Sequence, residues 1–175
     1  TANNLFRTMA RKGYDKYFRG NFTLYGILNP IKDLTIEASY NYAPDWNDYA
    51  TWGFPKGTYN HMTNQVVSKS TLDNQTITNK SAKVHRENSE ILVRYNPTIS
   101  DDHKLSFLGG FSTSYYKSES FTVAKMGMAD WSLTQLSTAT ELTSSSSSAS
   151  DWALMSYFGR ANYSFKDKYL LEDNV

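Results

Sequence analysis

Apolar and polar side chains take turns along most of this chain, with a period of two, and nothing else in it limits the fold as much. Leu34–Tyr42 shows the pattern most cleanly: Leu34, Ile36, Ala38, Tyr40 and Tyr42 interleave with Thr35, Glu37, Ser39 and Asn41. A strand sends successive side chains to opposite faces, so this segment has one greasy side and one wet side. The same pattern recurs in Lys16–Leu28, where Phe18, Gly20, Phe22, Leu24, Gly26 and Leu28 oppose Arg19, Asn21, Thr23 and Tyr25. It recurs in Asn88–Pro97, with Ile91, Val93 and Tyr95 against Leu92, Arg94 and Asn96, and in Lys104–Tyr116, with Leu105, Phe107, Gly109, Phe111, Thr113 and Tyr115 on the apolar side. Asp151–Val175 reads as two strands around a polar turn at Lys166–Asp167, its apolar set being Ala153, Met155, Tyr157, Gly159, Ala161, Tyr163 and Phe165. Six strands of an all-β, antiparallel, up-and-down sheet are therefore expected.

Alternation does not say what the greasy side faces; a soluble β-sandwich that binds carbohydrate through an aromatic-rich loop has the same period. The connections carry more information. Asn29–Asp33, Thr98–His103 and Lys166–Asp167 are short, whereas Ala43–Glu87 and Lys117–Ser150 are long, and the two kinds alternate. Short turns at one end of a sheet and long loops at the other are a habit of membrane barrels. Strands of roughly 10–13 residues at about 3.3 Å each cross a tilted apolar band about 25 Å tall. No apolar run approaches the roughly 18–20 residues of a membrane-spanning helix, and aromatic residues reach 15%, with 13 Tyr, a composition suited to strands with a wet end and an apolar end. Arg19, Glu37, Arg94 and Arg160 on the second face suit a watery lumen better than a sandwich core. In the long segments we expect a small hairpin in Val66–Val84 around Asp73-Asn74, one or two helical turns in Met128–Ala139, and a mobile Ser144–Ser148 run; Thr1–Gly13 reads as loop.

The segment Ser156-Tyr157-Phe158-Gly159-Arg160, then Asn162-Tyr163-Ser164, then Lys166-Asp167-Lys168-Tyr169-Leu170-Leu171 strongly resembles part of the SusC/RagA family of TonB-dependent outer-membrane transporters. The Leu-rich piece and Ser-rich spacer of Leu133–Ser150 agree with it, and Tyr17–Tyr42 looks similar less specifically. The resemblance implies a 22-stranded barrel, integral to the Gram-negative outer membrane, with an N-terminal plug domain. Residues 1–175 would supply about six barrel strands; the plug, the TonB box and the other strands are not in this sequence. We expect the chain to be a piece of a larger protein, since it has no initiator Met and starts and stops within patterned segments. The resemblance also implies nutrient import (oligosaccharide or peptide uptake), a SusD-like surface lipoprotein as a lid, and energy delivered through TonB.

The remaining constellations point away from chemistry. Net charge is +1 and no basic cluster offers a track for nucleic acid. Cysteine is absent, which rules out disulfides and thiolate metal sites. His61, His85 and His103 lack ligand spacing, Asp101-Asp102 reads as a turn, and Gly109-Gly110 reads as curvature or a bulge within a strand. Asn21, Asn74, Asn79 and Asn162 open glycosylation-type triplets that a bacterial barrel makes coincidental. We expect no enzyme activity and no cofactor. Trp46, Tyr49, Trp52, Phe54 and Tyr59, placed in a long outer loop, are the candidates for stacking on ligand or packing against a lid. Arg94 and Arg160 are expected to face the lumen, where plug carboxylates could pair with them.

Overall fold

The computed structural model describes residues 12–53, 57–60, 62–69, 71–73 and 75–175, with no account of the side chains of 57–59 and 66–69. Among the described residues nine strands form: β1 (Lys12–Arg19), β2 (Phe22–Ile31), β3 (Leu34–Trp52), β4 (Gly57–Asn60), β5 (Gln65–Lys69), β6 (Thr76–Tyr95), β7 (His103–Met128), β8 (Ala139–Phe165) and β9 (Tyr169–Asn174). One antiparallel sheet runs β1-β3-β6-β7-β8-β9, with β2 also on β3. Strands β1 and β2 are two halves of one run, broken at Gly20-Asn21, where the Gly20 amide donates to the Pro44 carbonyl at 3.0 Å. Apart from the small β4-β5 hairpin, the sheet is the expected six-stranded meander.

The register carries the sequence pattern across strands. Phe22 pairs with Tyr42, Leu24 with Tyr40, Gly26 with Ala38 and Leu28 with Ile36, so the apolar sets share one face; Thr23 meets Asn41 and Tyr25 meets Ser39 on the other. In the last hairpin Tyr163 faces Leu171 and Phe165 faces Tyr169. The turns use the backbone their residues permit. Lys166 and Asp167 lie at φ +52° and +54°, the positive pair that a type I′ turn requires, and the Lys168 amide closes it onto the Phe165 carbonyl at 3.0 Å. Asp33 sits at φ +66° in the turn between β2 and β3. Strand β2 runs on to Ile31 through a register shift between Leu28 and Ile31, which is where a proline, lacking an amide donor, fits an otherwise paired strand.

Contacts divide the chain into two units. The second comprises Arg19–Pro44, Val84–Lys117 and Asp151–Val175. It holds all three short turns, joined by backbone bonds from Asn96 N to Asp33 O (2.9 Å) and from Lys166 N to Asp102 O (2.8 Å). Among its described residues no large apolar side chain is buried; Leu24 is 75% exposed, Tyr157 74% and Leu171 69%. Within this unit, then, no second layer covers the greasy face, and the sandwich alternative loses its core. The first unit comprises Thr1–Phe18, Asp45–Lys83 and Ser118–Ser150. Its buried cluster is Ile77, Met128 and Ala139, flanked by Trp52, Leu72 and Leu136. The Met128 amide donates to the Leu72 carbonyl at 3.0 Å, tying the two longer connections together.

Several expectations are corrected. The long loops are mostly strand: β3 extends to Trp52, β6 begins at Thr76, β7 continues to Met128 and β8 starts at Ala139. The small hairpin is β4-β5, with Gly57 opposite Lys69, not Val66–Val84. The Ser144–Ser148 run belongs to β8, and Ser148 Oγ lies 2.9 Å from Ser120 Oγ. Lys12 and Gly13 belong to β1; Thr1–Arg11 lie outside the described residues. Met128–Ala139 does contain a helical turn, as expected, in the form of the 3-10 turn Leu136–Thr138. The common reason is that strand pairing is a backbone matter. Where both faces meet water, polar side chains leave no alternation to read, yet the amide ladder persists.

Candidate functional site

The functional surface of the second unit is the face opposite the greasy one. On β2, β3 and β6 it is a polar network. Arg94 pairs with Glu37, whose carboxylate also accepts the Tyr25 hydroxyl at 3.1 Å. The Asn41 side-chain amide donates to Thr23 Oγ1 at 2.8 Å and to Asn21 Oδ1. On β8, Arg160 Nε donates to Asn174 Oδ1 at 2.8 Å and lies 3.5 Å from Glu172 Oε1. Both arginines singled out in the sequence thus stand on the polar face, and each already holds a carboxylate of its own chain.

Aromatic residues that the sequence reading passed over share this face. Trp152 is two residues ahead of Leu154 and eight ahead of Arg160, an even spacing that keeps it on the polar side of β8. Its indole stacks on the Tyr116 ring of β7, with centroids 5.9 Å apart and 15° between planes. Arg86 of β6 lies over the same ring, its guanidinium carbon 5.6 Å from the Tyr116 centroid. Further along, the Phe158 ring occupies the space a β-carbon would take at Gly110. Gly110 is therefore there to admit a ring, a more specific role than curvature. The available signal was the presence of Trp152, Leu154 and Phe158 in a set that otherwise carries Ser, Arg and Asn.

The greasy face is bordered by tyrosines. Tyr42 marks the border away from the short turns, its hydroxyl 2.9 Å from His85 Nδ1, and one step inside it Tyr40 donates to Glu87 at 3.1 Å. Nearer the short turns, the Tyr163 hydroxyl lies 2.6 Å from His103 Nδ1, and Phe165 stacks on Tyr169 at 6.4 Å. Two of the three histidines are thus partners of these aromatic residues, and His61 lies outside the described residues. Among the described residues, no three His, Asp or Glu side chains converge as a metal set. Beyond the strands' apolar stretch, Lys104 Nζ donates to both Asp167 oxygens at 2.8 Å. These bonds and the ammonium charge hold the Asp167 carboxyl below its ordinary value. The Ser132 hydroxyl and amide do the same for Asp130.

The five loop aromatics are redistributed. Trp46, Tyr49 and Trp52 lie in β3, not in a loop. In the first unit Trp46 tilts against Phe18 with centroids 5.1 Å apart, and Trp52 packs on the Ile77 cluster. Tyr49 is three residues from each and so takes the opposite face. Phe54 lies outside the described residues, and of Tyr59 only the backbone, in β4, is described. The three described side chains do not make one platform.

Comparison with known proteins bears on this arrangement. No protein-family model matches the chain. A TonB-dependent receptor P26 of Formosa agariphila is 32% identical over 89 residues, 48% of this chain. The RagAB peptide transporter superposes over 94% of the chain with a TM-score of 0.78 at 18% identity. The RagAB peptide importer in its open-open state does so over 95% with a TM-score of 0.77 at 19% identity. The chain spans 9% of the length of the receptor and 18% of the RagAB chains. Sequence likeness and fold likeness fall on one kind of protein, an integral outer-membrane barrel: over about half its length the chain resembles a TonB-dependent receptor, and its sheet has the fold of part of the RagAB barrel.

Proposed function

We propose that residues 1–175 form part of the barrel domain of an outer-membrane nutrient importer, working with TonB, a plug and a SusD-like surface lipoprotein supplied from outside this chain. The substrate class is oligosaccharide or peptide. The chain acts as wall rather than catalyst: its greasy face holds it among acyl chains, and its polar face borders the path of the solute.

One observation carries the reading: a single-layered sheet whose apolar face is uncovered between tyrosine borders, while its opposite face is laced with satisfied polar groups. In water the uncovered face would sacrifice most of the hydrophobic stabilisation a sheet relies on. In a bilayer it is the ordinary arrangement, with apolar residues outward, aromatic residues at both interfaces and polar residues inward. Relatives described as a receptor and a peptide transporter support import over adhesion or anchoring.

Uptake by cells producing the full-length protein tests the proposal. Labelled oligosaccharides and peptides are offered with TonB present and absent. TonB-dependent accumulation of one class, lost when the surface lipoprotein is removed, is the expected result. Accumulation that ignores TonB, or none of either class, overturns it.

A further inference from the structure

We propose that Arg86, Tyr116 and Trp152 form a binding subsite for a solute that carries a carboxylate beside a ring with an apolar face. The inference rests on the polar face being the water-filled side of the wall, and it goes further by assigning residues and ligand chemistry there.

The three residues lie in one row across neighbouring strands β6, β7 and β8. Their parity is that of Arg94, Lys104 and Arg160, so the row belongs to the polar face. The arginines of that face differ in one respect. Arg94 holds Glu37 and Arg160 holds Glu172, whereas the contact of Arg86 among the described residues is the Tyr116 ring. A guanidinium held over a ring still has N–H donors to offer an acceptor, and its fork matches a carboxylate in two parallel bonds. Trp152, 51% exposed, supplies a broad surface beside it on which a ring can stack. Between this row and Phe158 the same parity of β7 and β8 carries Ser112, Ser114 and Ser156, small hydroxyls beside one exposed leucine, Leu154. A cation with donors to offer, next to the exposed Trp152 and the half-buried Tyr116 and beside Leu154 and small hydroxyls, is complementary to an anion with an attached ring and to neither feature alone.

Two kinds of solute present that chemistry: a peptide ending in an aromatic residue with its free carboxylate, and an acidic sugar ring. N-acetylphenylalaninate and galacturonate oligomers serve as probes of the two, with N-acetylphenylalaninamide and neutral galacto-oligosaccharides as uncharged partners. Binding to the detergent-purified full-length protein is measured by calorimetry. For at least one pair the carboxylate should bind about tenfold or more tightly than its neutral partner, the margin of a charge-assisted bond pair. Arg86→Gln should abolish that margin, and Arg86→Lys should restore only part of it. Trp152→Ala should weaken charged and neutral probes of that pair alike. Which pair responds identifies the source. Equal affinity within both pairs, or a margin that survives Arg86→Gln in a variant that migrates as folded in heat-modifiability gels, overturns the subsite. Failure of the underlying reading looks different: Ser114→Cys in lipid vesicles would then resist a water-soluble maleimide, whereas ready labelling with no carboxylate preference rejects the subsite alone.

Discussion

Leu24→Arg separates lipid from water at the greasy face. Leu24 pairs with Tyr40, one hydrogen-bonded step along the face from Gly26↔Ala38 at the middle of the apolar stretch. Its side chain is 75% exposed, so within this unit arginine would meet no steric obstacle and would remove little packing. Were that face in water, the change would fall within about 0.5 kcal/mol of neutral. In a bilayer, arginine on the lipid side of a barrel costs about 2–4 kcal/mol at the midplane and less toward the interfaces. One step off centre, about 2–3 kcal/mol is expected, or roughly 30- to 150-fold in the folded-to-unfolded ratio. The companion is Ser39→Arg. Ser39 lies one residue along from Ala38, opposite Tyr25 on the polar face, where a long cation can reach water and the neighbouring Glu37; a change under about 1 kcal/mol is expected. Reversible unfolding in urea, with the full-length protein in phospholipid vesicles, measures both. Equal costs for the two arginines, or a neutral Leu24→Arg, would refute the assignment of faces.

Gly110→Ala should cost about 1–3 kcal/mol, because the added carbon takes the place of the Phe158 ring and the ring must turn away. Combining it with Phe158→Ala should cost less than the sum of the two single changes, and strict additivity in that double-mutant cycle would show that the ring does not rest there. At the Lys166–Asp167 turn, Lys104 keeps the Asp167 carboxyl lowered. A lowered carboxyl stabilises the folded state above its unfolded value near 3.8 and loses that contribution as pH falls through the folded value. Stability should thus be flat in this respect from pH 5 to 8 and decline below about 4. Asp167→Asn should remove that share of the acid-side decline, which a pH series of unfolding midpoints reads; an unchanged slope would exclude the turn as a contributor.

What the sequence disclosed and what it withheld divide along the strands themselves. The alternation of Leu34–Tyr42, Lys104–Tyr116 and Ala153–Phe165 is legible because one side of each faces an apolar medium and the other does not, so chemistry is sorted residue by residue. The continuations, Ala43–Trp52, Thr76–Glu87, Lys117–Met128 and Ala139–Asp151, carry Asp48, Ser81, Lys83, Glu119 and the Ser144–Ser148 run at positions in phase with the greasy face. There the pattern fades although the amide ladder does not. Aromatic density around Trp46 therefore looked like a loop, when the side chains were distributed to two faces of β3. Parity alone put Arg94 and Arg160 on the face away from the apolar set, but their partners Glu37 and Glu172 come from neighbouring strands, a relation only register supplies. The same holds for Arg86, Tyr116 and Trp152, which are far apart in the chain and meet only because β6, β7 and β8 are adjacent.

The faces are half of the physical requirement for a barrel wall; the edges are the other half. Strand β9 meets β8 through register pairs from Arg160↔Asn174 to Phe165↔Tyr169, and β2 meets β3 from Phe22↔Tyr42 to Ile31↔Leu34. Among the described residues, the far side of each of these strands has no strand partner. In water such an edge is tolerable, because solvent bonds to the free amides and carbonyls. In hydrocarbon each unsatisfied group costs several kcal/mol, so an open edge and a lipid-facing surface cannot coexist at the same depth. The greasy face of Leu24, Tyr157 and Leu171 thus demands closure: if acyl chains cover it, further strands must pair with β2 and β9. Coverage of the face and pairing of the edges stand or fall together, which is why lipid exposure at Leu24 tests the barrel as a whole and not that one residue.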